Sequence, residues 1–142
     1  MDNLGLSVCN CFAVRKAARR LTQAYDAKLA PSGIRSTQYM ILAAVQEQDV
    51  VSVNELAKIM AMDRTTMGKS LVPLERDGFL KISVSKADRR GREISLTAGG
   101  KALLRRAQPL WKEAHESFQR NHGKHFAETL RKMLSQVSSV EA

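Results

Sequence analysis

Charge crowds the stretch SKADRRGREISLT at residues 85–97, with Lys86, Asp88, Arg89, Arg90 and Arg92 on one short loop. A guanidinium is planar, permanently charged and forked, so arginines at the end of a short loop suit phosphate oxygens and the narrow, strongly negative minor groove of duplex DNA. Upstream, DRTTMGKS at 63–70 holds a second set: Arg64, Thr65, Thr66, Lys69 and Ser70. Arginine can fork onto guanine, threonine can offer its methyl to thymine, and lysine serves a phosphate. The loop set also has a plainer reading, because a turn between strands is exposed and commonly charged.

The elements that must position these residues follow from local patterns. After the charged loop, EISLT alternates apolar and polar residues, as does FLKISVS before it, so the two read as a hairpin with KADRRGR at its tip and Ile94 and Leu96 facing the core. SVNE at 52–55 has the form of a capping box opening a short helix, NELAKIMA. Asp63 caps a second helix, RTTMGKSLVPLERDG, in which Leu71 and Leu74, with Phe79 beyond it, belong to the core. Gly78 closes that helix in the left-handed conformation. Pro73 is expected to kink or end it near Lys69, and Gly68 is a poor helix former. Two helices around a tight turn at Ala61 and Met62, followed at once by a hairpin, define a winged helix-turn-helix.

Helical periodicity flanks this unit on both sides. Residues 7–29 place Val8, Cys11, Phe12, Ala18, Leu21, Tyr25 and Leu29 on one face, and PSG at 31–33 ends the helix. Ser36 is expected to cap the next, TQYMILAAVQEQ, whose apolar run marks a central packing element, and a polar loop follows it. From Thr97, a long helix carries Leu103, Leu104, Ala107, Leu110, Trp111, Ala114 and Phe118 until Gly123 interrupts it. A last helix puts Phe126, Leu130, Met133, Leu134, Val137 and Val140 on one stripe. The reading is one mainly α domain over 1–142, with dimerisation helices at 1–35 and 99–142 and a DNA-binding lobe at 36–98. The outer stripes exceed what a winged-helix core can cover, so they are expected to bury one another across a twofold axis.

Composition narrows the partners. Twenty-three Lys and Arg against fourteen Asp and Glu in 142 residues leave +9, which favours a polyanion such as nucleic acid or an acidic membrane surface. No window is apolar enough to span a membrane, and MDNLGLSVCNCF lacks the form of a secretion signal, so a cytoplasmic location is expected. A phosphate-cradling glycine loop, a nucleophile elbow and paired carboxylates are all missing, which argues against an enzyme and against a cofactor. His115, His122 and His125 cluster in sequence, but solvated histidines account for them better than a metal site. The two cysteines, Cys9 and Cys11, sit two apart, and on a helix would face opposite ways and not bridge.

DRRGREISLTAGG at 88–100 resembles the wing signature of the MarR family of bacterial winged-helix regulators, and NELAKIMAMDRTTMGKSLVPLERDGFL at 54–80 is similar to its recognition segment. The resemblance covers nearly the whole chain. It implies a homodimeric, sequence-specific repressor presenting two recognition helices to a palindromic operator. It makes Arg90 the groove-inserting residue, Arg89 a backbone contact and Asp88 the brace of the loop. It also implies release by a small molecule, a phenol, an aromatic carboxylate or an acyl thioester, bound between the dimer helices and the DNA-binding lobe near Arg15, Arg19, Tyr25, Tyr39 and Trp111. A second implied switch is thiol oxidation, because Cys11-Phe12 with Tyr25 resembles the organic-hydroperoxide-sensing branch. That branch carries a further tyrosine where this chain has Arg15, a cation one turn from Cys11. The plainer reading of Cys11 is a small buried apolar residue.

Overall fold

The computed structural model describes residues 4–139, so Val140 lies outside the described residues. Six α-helices and three short strands follow in the order α1 (Asn10–Leu29), α2 (Ser36–Gln48), β1 (Val51–Ser52), α3 (Val53–Ile59), α4 (Arg64–Arg76), β2 (Leu80–Val84), β3 (Arg92–Leu96), α5 (Ala98–His122) and α6 (Lys124–Ser138). A 3-10 turn at Leu6–Val8 precedes α1, and another at Ala30–Ser32 ends it, with Gly33 at φ 82°. The first helix is therefore shorter than its periodicity implies. Cys9 is extended and serves as the cap of α1, its sulfur accepting the Phe12 N–H at 3.4 Å.

The expected cap at Ser36 is not what forms. Ser36 is the first helical residue and is only 1% exposed, with its N–H donated to Asp26 Oδ1 at 2.7 Å; the residue before it, Arg35, donates its N–H to Gln38 Oε1. The substitution has a physical reason: an acidic side chain from α1 supplies the acceptor that a cap would otherwise provide, and thereby ties α1 to α2. At 52–55 half of the capping box is present. Ser52 Oγ accepts from the Glu55 N–H at 3.0 Å, while the Glu55 carboxylate lies 3.8 Å from Lys58 Nζ.

Pro73 neither ends nor interrupts α4, which continues to Arg76, with the Asp77 N–H donating to the Pro73 carbonyl at 3.0 Å. Only the final turn lies beyond the proline, and Met67, Leu71 and Leu74 hold the helix to the core on both sides of it. Packing of this kind offsets one missing helical hydrogen bond. Phe79 is partly buried against the same core.

The wing is the outer part of a three-stranded antiparallel sheet ordered β1-β3-β2. Leu80 pairs with Leu96, Ile82 with Ile94 and Val84 with Arg92; on its other side β3 pairs Ile94 with Val51 and Glu93 with Ser52, the edge strand β1 occupying what the sequence presents as polar loop. Ile94 is fully buried and joins the cluster formed by Leu42, Val45, Leu56, Leu71, Leu74 and Leu103. One face of the sheet is thus packed against α2, the helix-turn-helix and α5.

The passage from wing to α5 is tight. Thr97 Oγ1 bonds the Gly78 carbonyl and accepts the Gly100 N–H, while the Thr97 N–H reaches the Phe79 carbonyl at 3.2 Å. A Cβ on Gly100 would stand 2.1 Å from the Phe79 oxygen, a backbone atom that cannot step aside. Gly100→Ala is expected to destabilise the chain by about 2–3 kcal/mol through this overlap, seen as a lower denaturation midpoint.

Candidate nucleic-acid interface and neighbouring cavity

The turn between α3 and α4 contains Ala61 in the left-handed region at φ 52°, a conformation that brings α4 around within a few residues. Asp63 then caps α4 twice over: Oδ1 accepts the Thr66 N–H at 2.7 Å and Oδ2 accepts the Thr66 hydroxyl at 2.8 Å. These bonds hold the exposed Asp63 carboxyl below the usual carboxylate range. The Thr66 hydroxyl is therefore occupied within the helix, and so is that of Ser70, which donates to the Thr66 carbonyl at 2.9 Å. Arg64, Thr65 and Lys69 remain as exposed side chains with no hydrogen-bond or ion-pair partner among the described residues.

At the wing tip, Asp88 Oδ1 accepts the Arg90 N–H at 2.9 Å, and the Asp88 carbonyl accepts the Gly91 N–H at 2.9 Å. Ser85 ties the base of the loop, its N–H donating to the Gly91 carbonyl and its hydroxyl to Glu93 Oε1 at 2.9 Å. Asp88 shapes the loop through backbone, leaving the Arg89 and Arg90 side chains exposed and without an ion pair among the described residues. Arg92 reaches only its neighbour, the Gly91 carbonyl, at 3.4 Å. Two cationic groups, one on α4 and one on the wing, thus project from a rigidly joined unit.

Below this unit, α1, α2, α5 and α6 enclose an open cavity of about 560 Å3. Leu21 and Tyr25 come from α1, Ser36 and Met40 from α2, Trp111, His115 and Phe118 from α5, and Ala127, Leu130, Arg131 and Leu134 from α6. Burial pushes the Tyr25 phenol up against the opposing pull of the Arg131 guanidinium, so Tyr25 stays a neutral donor. Tyr39 stands behind this wall, stacked on Trp111 at 6.0 Å, and Trp111 stacks in turn on His115 at 5.2 Å. Burial, reinforced by the Glu47 carboxylate, raises the Tyr39 phenol as well. The Ser36 hydroxyl lines the same cavity, is buried and has no hydrogen-bond partner among the described residues.

Of the sequence candidates, Tyr25 and Trp111 therefore line this cavity and Tyr39 supports it. Arg15 and Arg19 lie elsewhere, along a shallow depression on α1 with Thr22 and Gln23. Sequence reading missed Ser36, His115 and Arg131; the unmatched polar group at Ser36 is visible only once α2 is packed. Cys11 is exposed, not a buried apolar residue, and Cys9 is exposed beside it. Because Cys9 is a cap outside the helix, the opposed-faces argument does not govern this pair. His122 packs between Phe118 and Phe126, at 4.5 and 5.3 Å. Among the described residues no three His, Cys, Asp or Glu side chains group as metal ligands, and no helix is long and apolar enough to cross a membrane.

These features define a winged helix-turn-helix protein with a basic wing, set on a base of long helices. The MarR family profile matches residues 32–91, and the Mycobacterium tuberculosis transcriptional regulator MOSR, solved in complex with DNA, is 35% identical over 92% of this chain and 93% of its own, with a TM-score of 0.83. The chain belongs to the MarR family. It is also 32% identical over 93 residues to the regulator TtmR of Methylorubrum extorquens, covering 66% of this chain and 48% of that one. The chain thus spans about half the length of that relative. Similarity extends to the organic hydroperoxide resistance transcriptional regulator of Bacillus subtilis, 27% identical over 106 residues, 75% of this chain and 72% of that one.

The double cap at Asp63 gives a pH signature. A depressed carboxyl pKa contributes stability above the ordinary carboxylate value near ~4, and that contribution is lost as pH falls through the folded-state pKa. Asp63→Asn keeps an acceptor for the cap but does not titrate, so urea midpoints measured between neutral pH and pH ~3 should fall less steeply at the acid end than those of the parent chain.

Proposed function

We propose that the chain is a sequence-specific DNA-binding transcriptional regulator, a repressor that acts as a homodimer on a palindromic operator. The observation that carries this reading is the pairing of exposed, unneutralised Arg64 and Lys69 on α4 with Arg89 and Arg90 on a wing fixed to it. In this arrangement α4 enters the major groove, Arg64 and Thr65 meet base edges, Lys69 and Arg89 meet phosphates, and Arg90 enters the minor groove. Thr66, Ser70 and Asp88 act by fixing helix and loop. The solved complex of MOSR with DNA supports the partner.

Dimerisation through residues 1–35 and 99–142 is supported by apolar side chains left uncovered in the single chain. Val8 is 80% exposed, Met133 60% and Val137 62%, all on the outer helices or beside them. Burying such a surface against a second copy is favourable at roughly 25 cal/mol per Å2. Two winged lobes related by a twofold axis then address half-sites about one helical turn apart.

The regulator is released by a small anionic aromatic molecule in the helix-lined cavity. Apolar walls of Leu21, Met40, Trp111 and Phe118 suit an aromatic ring, while Arg131, the Tyr25 phenol and the unmatched Ser36 hydroxyl offer donors to a carboxylate or phenolate. Ser36 opens α2, the first helix of the DNA-binding lobe, so a ligand there acts by favouring one spacing of the two lobes. A second reading, oxidation of Cys11 by an organic hydroperoxide, is favoured by the exposure of the thiol and the similarity to the Bacillus subtilis regulator. The α1 geometry places Tyr25 about 21 Å along the helix from Cys11, so the phenol of Tyr25 does not reach the thiol of its own subunit.

Arg90→Ala is expected to weaken operator binding and to reduce the slope of log affinity against log salt by about 1 per wing, whereas Arg64→Ala relaxes base preference by about 1–3 kcal/mol at one position. Unchanged salt dependence in Arg90→Ala removes the wing assignment. Operator release by salicylate-like acids and by cumene hydroperoxide separates the switches. Arg131→Ala should abolish the first response and Cys11→Ser the second; whichever response survives its own substitution loses its assigned site.

A further inference from the structure

Glycine occurs within helices at three positions, 68, 99 and 100. A glycine in a helix interior is worse than alanine, because it surrenders more backbone freedom on folding. For the pair opening α5 the fold supplies a reason: a Cβ at Gly99 would lie 3.3 Å from the Gly78 carbonyl, and one at Gly100 would overlap the Phe79 carbonyl. Gly68 has no such reason. It is helical, it lies in the second turn of α4, and a Cβ there would meet nothing within 4 Å.

The neighbours of Gly68 give the gap a character. Arg64 and Val72 lie one turn before and after it and Thr65 three residues before, so all share its flank of the helix. Val72 is 61% exposed although apolar, and the buried Met67, Leu71 and Leu74 face the core on the adjoining side of α4, with Gly68 at the margin between the two. The result is a shallow notch with a CH2 floor, walled by the Val72 and Thr65 methyls and the stem of Arg64. In an α-helix the Gly68 amide and carbonyl belong to the backbone ladder, so the floor has no polar group to offer a phosphate.

We infer that Gly68 is a specificity-determining residue, whose missing side chain lets the α4 backbone approach the 5-methyl group of a thymine in the major groove. Thymine is the base that presents an apolar group there, and the notch matches it in size and polarity. The inference rests on the DNA-binding reading above and adds a base preference to it.

The test begins with duplexes enriched by the parent chain from a randomised library. Each thymine of the enriched half-site is then replaced singly by deoxyuridine, which removes only the methyl. At one thymine the parent chain should lose about fourfold in affinity, the worth of one buried methyl. Gly68→Ala should melt higher than the parent, bind the thymine duplex about tenfold more weakly, and be indifferent to deoxyuridine at that same position. Val72→Ala, which removes a wall, should reduce the penalty of the deoxyuridine swap without abolishing binding. The inference is overturned if Gly68→Ala keeps the parent's affinity, if it melts lower, or if its loss is equal on every duplex. A parent chain that enriches no sequence removes the DNA-binding reading itself, a result distinct from any of these.

Discussion

The geometry of the DNA-facing surface depends on the burial of Ile94. This residue sits in the middle strand of the sheet, paired with Ile82 on one side and Val51 on the other, and has no exposed surface. Through it the wing shares a core with Leu56 of α3, Leu71 and Leu74 of α4, and Leu103 of α5. A two-stranded hairpin alone is marginal in water, so the wing is held because β3 is paired along both edges and packed on the core through Ile94. The packing also limits the motion of the charged tip, because arginines on a floppy loop would give up more ordering entropy on meeting an anion.

A second constraint runs through the caps. Asp63, Thr97 and Ser52 each satisfy a helix start with their own side chains, whereas α2 borrows an acceptor from Asp26 on α1. The borrowed cap connects the long-helix base to the first helix of the upper lobe. It lies next to the Ser36 hydroxyl, so the tie between α1 and α2 and the proposed ligand contact occupy one residue.

Local signals were readable in the sequence wherever the cause was itself local. Asp63, Gly78, Thr97 and the alternation through Ile94 and Leu96 announce their structures within a few residues. The failures are those in which a distant segment intervenes. Strand β1 is two residues long and exists through its partner β3; Ser36 is displaced as a cap by Asp26; and Pro73 is tolerated because Leu71 and Leu74 anchor its helix. The charged residues proposed for the interface stand out in the sequence because turns and helix starts leave them exposed, as the structure has them. The cavity was legible in part, since Tyr25 and Trp111 sit on recognisable apolar faces, but Arg131 and Ser36 meet only when four helices come together.

The stacked series Tyr39, Trp111 and His115 has an optical consequence. The chain contains a single tryptophan, and its indole forms part of the cavity wall, next to an imidazole and a buried phenol. Ultraviolet emission from this protein therefore originates beside the cavity and samples the polarity of its interior. The fold carries its own fluorophore at the place where the long-helix base meets the lobe above it, and occupancy there is written into the spectrum of the unlabelled chain.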